Sequence, residues 1–105
     1  MRRADIYVDN EKAGVLVEIE AGKNYIFRYI DQYEGKQVSL TLPVSKQEYH
    51  FENFPSFFDG LLPEGHQLEH LLRTRKIDRH DYFSQLIAVG LDMVGNVTVL
   101  EASDE

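Results

Sequence analysis

Cysteine is absent from the 105 residues, which removes a disulfide framework, a thiol nucleophile, an iron–sulfur site and the usual structural zinc site together. A thiol-free chain of this kind is expected in the cytoplasm. Cations are scarce: 11 Lys and Arg against 18 Asp and Glu give a net charge of −7 and a pI near 5.0. That balance opposes a surface that tracks phosphates, so direct DNA or RNA binding is not expected. Long apolar runs are missing too. No stretch approaches the ~18 residues of a membrane span, and Met1-Arg2-Arg3 leads straight into Ala4-Asp5, so neither a span nor a signal peptide is expected. What is present is ordinary, with 43% apolar and 11% aromatic residues, enough for the core of one domain over residues 1–105.

The first half alternates with a period of two. Ala4, Ile6 and Val8 share a face of one strand, and the polar run 9–14 reads as a turn. Val15, Val17 and Ile19 follow, Ala21-Gly22-Lys23-Asn24 punctuates, and Tyr25-Ile26-Phe27-Arg28-Tyr29 resumes with aromatic and β-branched residues. Val38-Ser39-Leu40-Thr41-Leu42 is predicted as a fourth strand ending at Pro43, which cannot donate to a ladder. Residues 44–53 read as a mixed loop. Beyond them the period changes. Pro55 to Gly60 suits a short helical turn. Pro63 suits the start of a longer helix, with Leu68, Leu71 and Leu72 at helical spacing and Arg73, Arg75 and Lys76 at its end. Asp78 is expected to cap the next helix, with Asp81 at its third position, Ile77 stapled against Tyr82, and an apolar stripe of Phe83, Leu86 and Ile87 up to Gly90. A last strand, Val97 to Leu100, precedes a short acidic tail expected to fray. The expected class is α+β, a mostly antiparallel sheet of about five strands with two or three helices packed on one side.

Candidate chemistry is sparse. His66-Gln67-Leu68-Glu69-His70 has the H-x-x-E-H spacing of inverted zinc peptidases, in which two imidazoles one turn apart hold the metal and the Glu acts as base. A catalytic zinc needs a third protein ligand, and Asp92, Glu101, Asp104 and Glu105 downstream sit in no second helical motif. The pattern is therefore read as a solvated helix face, with no metal or cofactor expected. Asp78-Arg79-His80-Asp81 carries the letters of a kinase catalytic loop out of order, without a Gly-rich loop or Asp-Phe-Gly, and the serines lack a G-x-S-x-G setting. No catalytic residues are assigned, and the chain is not expected to be an enzyme. By contrast, Phe51, Phe54, Phe57, Phe58, Leu61 and Leu62 place six large apolar side chains within twelve residues, more than one short helix turns inward. A protein-binding module uses such a surplus.

The ordering Ala4-Asp5-Ile6-Tyr7-Val8, Tyr25-Ile26-Phe27-Arg28-Tyr29, Val38 to Pro43 and Val89-Gly90-Leu91-Asp92-Met93-Val94-Gly95-Asn96-Val97 resembles the N-terminal subdomain of HipA-type Ser/Thr kinase toxins. The most specific piece is Phe57-Phe58-Asp59-Gly60-Leu61-Leu62-Pro63-Glu64-Gly65, which matches the family's F-F-x-x-L-L-P-E-G pattern. As a short chain it is similar to the HipS-type antitoxins of tripartite toxin–antitoxin systems. The resemblance implies a non-catalytic antitoxin that binds and inhibits a HipT-like Ser/Thr kinase, with a HipB-like DNA-binding protein as third component. It also implies contacts to the kinase from Phe57, Phe58, Leu61, Leu62, Glu64, Gly65 and His66. The family usually carries an aromatic, often Trp, after Pro-Glu-Gly; here that residue is His66, and the chain has no Trp. The alternative implied role is an accessory subunit that completes a split kinase without inhibiting it.

Overall fold

The structure is a computed structural model that describes residues 1–91 and 95–102. Its base is a five-stranded antiparallel sheet in the order β4-β3-β2-β1-β5. β1 (Arg2–Val8) and β2 (Glu11–Glu20) are joined by Asp9-Asn10, both with φ near +60°, the left-handed pair that a two-residue hairpin turn with the right twist demands. Ala13 is an extra residue between the pairs Ile6–Gly14 and Tyr7–Lys12, and at this bulge Ala13 and Gly14 are both buried. β3 (Lys23–Tyr29) pairs with β2, and β5 (Val97–Glu101) pairs with β1 on the other side.

Alternation decides the core, but in β2 the face that turns in carries Leu16 and Glu18 and not the expected Val15, Val17 and Ile19. Ala4, Ile6 and Val8 of β1, Leu16 of β2, Tyr25, Phe27 and Tyr29 of β3, and Val97 and Val99 of β5 turn to one face. Phe58 from α1 (Ser56–Asp59) and Phe83 and Leu86 from α3 (Tyr82–Val89) close over them. Phe27 is the centre of an aromatic group, 4.9 Å from the Tyr29 ring and 6.0 Å from that of Phe58. α3 is held on β5 by close backbone approach: Val99 donates to the Gly90 carbonyl at 3.0 Å, and a Cβ on Gly90 would lie 2.0 Å from the Val99 oxygen. α2 (Gly65–Arg75) completes the helical layer. No helix among the described residues is long and apolar enough to cross a membrane.

The fold class stands as expected, but three elements differ in detail. Val38–Leu42 is not a strand. Val38 and Leu42 are buried, whereas Leu40 between them is 89% exposed, because the chain turns tightly and Leu42 donates back to the Ser39 carbonyl at 3.0 Å. The Tyr29 hydroxyl receives the Val38 N–H at 2.9 Å and donates to the Leu42 carbonyl, so a side chain rather than a ladder satisfies this segment. The fifth strand is instead β4 (Glu48–Phe51), inside the expected loop, paired with β3. The third correction concerns α3, whose cap is Asp81. It accepts from the Ser84 N–H at 3.2 Å, while Asp78 caps a preceding turn through the His80 N–H at 2.7 Å. Tyr82 consequently starts the helix and packs on Phe54, ring centres 5.8 Å apart. The middle of the Val89–Val97 motif (92–94) and the tail residues 103–105 lie outside the described residues.

One polar cluster ties β1 to β2 and α3. Arg2 donates to the buried Glu18 at 2.6 Å, to Asp81 at 2.8 Å and to Ser84 at 2.8 Å, and its guanidinium lies 5.0 Å above the Phe83 ring. Glu18 also receives the Tyr25 hydroxyl at 3.0 Å and the Gly22 N–H at 3.1 Å, so its charge is paired and hydrogen-bonded as a buried carboxylate requires. The Glu18 bond holds Arg2 firmly protonated, and burial together with that carboxylate pushes the Tyr25 phenol well above its ordinary range.

Candidate partner-binding surface

The segment 54–66 leaves the sheet edge, makes one helical turn and enters a second helix. Pro55 is buried at the start of α1, with extended backbone that suits the residue ahead of a helix. Phe58 is 0% exposed, which corrects its expected place among the partner contacts: it belongs to the core under Phe27. Phe57 packs edge-on against Phe58 at 5.1 Å and is half-buried, as are Phe54, Leu61 and Leu62. The surplus of apolar side chains is thus neither fully turned in nor free. It forms a ledge at the rim of the core. Leu61 and Leu62 are set by one further turn, donating to the Phe58 and Asp59 carbonyls at 3.1 Å each.

Pro63-Glu64-Gly65 then redirects the chain. Glu64 is extended and Gly65 has φ +59°, a left-handed value that costs any other L-residue but Asn or Asp appreciably. The space around the Gly65 Cα is open, so backbone conformation rather than crowding requires the glycine. Glu64, Gly65 and His66 are all exposed. α2 contains no buried residue; Leu68, Leu71 and Leu72 are half-buried along one side. Its far end is closed by Lys76 in the left-handed conformation, whose N–H returns to the Leu72 carbonyl.

His66, Glu69 and His70 lie on this exposed helix, and the Glu69 carboxylate is taken up by Arg79 at 2.7 Å. Among the described residues, no group of three His, Asp or Glu is placed to hold a metal ion. Chemically the segment offers an apolar ledge (Phe57, Leu61, Leu62) continuous with an exposed helix start (Glu64, Gly65, His66). Such a surface suits contact.

Comparison with known proteins places this architecture. Residues 4–100 match the family described as HipA N-terminal domain. A solved structure of the N-terminal domain of HipA toxin superposes with a TM-score of 0.79 at 27% identity, covering 100% of this chain and 96% of that one. An uncharacterized protein of Haemophilus influenzae is 29% identical over 101 residues, 96% of this chain and 93% of its own length. The chain belongs to the HipA N-terminal domain family.

Proposed function

We propose that the chain is a non-catalytic antitoxin that docks on a HipT-like Ser/Thr kinase and inhibits it, with a HipB-like DNA-binding protein as third component of the system. The observation that carries this reading is the exposed α1–α2 junction. The family motif from Phe57 to Gly65 ends in a helix with no fully buried side chain, and Glu64, Gly65 and His66 at its start are exposed, so the junction is available to a partner without unfolding anything. Membership of the HipA N-terminal domain family supplies the kinase as the natural partner. Phe57, Leu61 and Leu62 provide the apolar contact, and His66 projects from the first turn of α2, where the family usually has an aromatic.

The test is co-expression with a HipA-family kinase, scoring growth with and without this chain, together with the affinity of the purified pair. Wild type restores growth. His66→Ala weakens binding by about 1–2 kcal/mol, the loss expected of a modest anchor, while His66→Trp preserves or strengthens it. Binding that raises kinase activity instead of suppressing it would replace the antitoxin by an accessory subunit that completes a split kinase. No binding at all would end both readings.

A further inference from the structure

The helices cover one face of the sheet. The other face is bare among the described residues, and the strand register maps it. One row runs Leu100, Asp5, Val15, Arg28, Glu48 across β5, β1, β2, β3 and β4. The next runs Arg3, Val17, Ile26, His50. Val15, Val17 and Ile26 therefore form an aliphatic centre, extended at one end by Ile19 and Met1, which are 38% and 74% exposed. Together with Arg3, Arg28 and Glu48 they line a shallow depression of about 380 Å³.

The charges around this centre are unequal in what they have left to offer. Asp5 is held by Lys12 at 3.2 Å and Glu48 by His50 at 2.6 Å. Arg3 and Arg28 sit diagonally across the aliphatic centre, and among the described residues neither has an ion-pair partner. On a chain of net charge −7, an aliphatic strip bracketed by two guanidiniums without ion-pair partners runs against the overall charge. Its complement is an aliphatic ridge flanked by carboxylates. The same face of a second copy does not supply one, because its carboxylates, Asp5 and Glu48, are already engaged by Lys12 and His50.

We propose that the bare sheet face is a second docking surface, on which the kinase partner lays an aliphatic, carboxylate-flanked segment against Val15, Val17 and Ile26 with its acids on Arg3 and Arg28. This rests on the kinase reading above and deepens it. α1 lies on the opposite side of the sheet, so the α1–α2 junction and the bare face are separate contacts, and the partner grips the domain from both sides. Arginine suits the role because its planar fork takes a carboxylate through two parallel hydrogen bonds.

The experiment measures affinity of the full chain for the purified kinase at low and high salt, using wild type, Arg3→Glu/Arg28→Glu, Val17→Lys and His66→Ala, with a thermal melt of each variant alone. The charge reversal is expected to lower the melt only slightly, since Arg28→Glu then faces Glu48 across the strands, and to weaken binding about tenfold or more, with a shallower salt dependence than wild type. Val17→Lys, on the same face, loses affinity similarly, and the His66→Ala loss adds independently to that of the charge reversal. Wild-type affinity in the reversal variant, with His66→Ala still weakened, overturns the second surface and leaves the kinase reading intact. A wild-type chain that fails to bind the kinase overturns both. Sedimentation of the isolated chain as a dimer that the reversal disperses assigns the face to a second copy and overturns the proposal. Binding to phosphatidylserine vesicles that the reversal abolishes, with kinase affinity unchanged, does the same in favour of a lipid surface.

Discussion

Removing the charged head of Arg2 tests whether the polar cluster at the start of β1 holds the fold together. Arg2→Met keeps an aliphatic stem over the Phe83 ring and deletes the cation that serves both Glu18 and Asp81. Glu18 is 3% exposed, so it cannot turn to water for compensation, although the Tyr25 hydroxyl and Gly22 N–H remain. Breaking a fully buried pair by removing one partner costs about 3–5 kcal/mol. Arg2 itself is 38% exposed, which screens the pair and brings the expected loss to about 2–3 kcal/mol. For a domain of this size that corresponds to a fall in Tm of roughly 10–20 °C. Circular dichroism melts at pH 7 read it directly. The double variant Arg2→Met/Glu18→Gln should melt above Arg2→Met, because the uncompensated buried charge has gone with its partner. A Tm for Arg2→Met within about 3 °C of wild type refutes the reasoning, as does a double variant no better than the single one.

The same cluster gives an acid limb. Burial favours the neutral form of Asp81, but the bonds from Arg2 and Ser84 outweigh it and hold the carboxyl below its ordinary 3.8. The folded chain binds that proton less readily than the unfolded one, so the stabilisation is present above the ordinary value and fades as pH falls through the lower folded value. Asp81→Asn should flatten that part of the stability profile in urea titrations, and an unchanged acid limb counts against the assignment. Phe58→Ala empties a fully buried site and should cost about 3–5 kcal/mol, visible as a lowered urea midpoint; a loss below about 1 kcal/mol contradicts its place in the core. Gly65→Ala meets only the penalty of φ +59°, about 1–2 kcal/mol if the turn is kept. Since α2 has no fully buried residue, its start can re-route: the melt should move little while affinity for the proposed kinase partner falls, and the opposite pattern would make the glycine a folding residue.

How far these features were readable depends on the range of the interactions that set them. The strands at Ala4–Val8, Val15–Ile19 and Tyr25–Tyr29 follow from alternation alone, because one buried face dictates a period of two. Val38–Leu42 carries the same alternation and fails, since both outer residues reach the core while Leu40 is thrown out by a tight turn. That turn is held by the Tyr29 hydroxyl, nine residues away in sequence, which no local pattern contains. β4 did leave a signal, with Tyr49 and Phe51 alternating with Glu48 and His50, but four residues between polar flanks are too short to stand out. The Arg2–Glu18–Asp81 cluster had no signal at all: its members are separated by 16 and 79 positions and look like ordinary surface charge until the sheet forms. Helical spacing in α2 correctly marked which side of the helix is apolar. It could not say how much of the domain waits opposite that side.

That last gap bears on function. The sheet, α1 and α3 supply most of the large buried side chains of the core, from Ile6 through Phe27 and Phe58 to Phe83 and Leu86, with Val38, Leu42 and Pro55 added from the connecting segments. α2 adds eleven residues, half-buried leucines and no buried one, so the core owes it little. The glycine-dependent turn at its start therefore does little for the core: Gly65 adopts its positive φ without strain, and what the turn sets is the direction in which α2 leaves the domain. The apolar side chains left at the rim by Phe57, Leu61 and Leu62 point to the same place. A half-buried apolar ledge feeding a helix that adds little to the core is contact area of the kind the proposed partner would cover. Stability and binding thus divide along the chain. Substitutions in the sheet, α1 and α3 should be read out by melting, and substitutions from Gly65 to Arg75 by affinity, with Leu61 and Leu62 at the boundary sensitive in both assays.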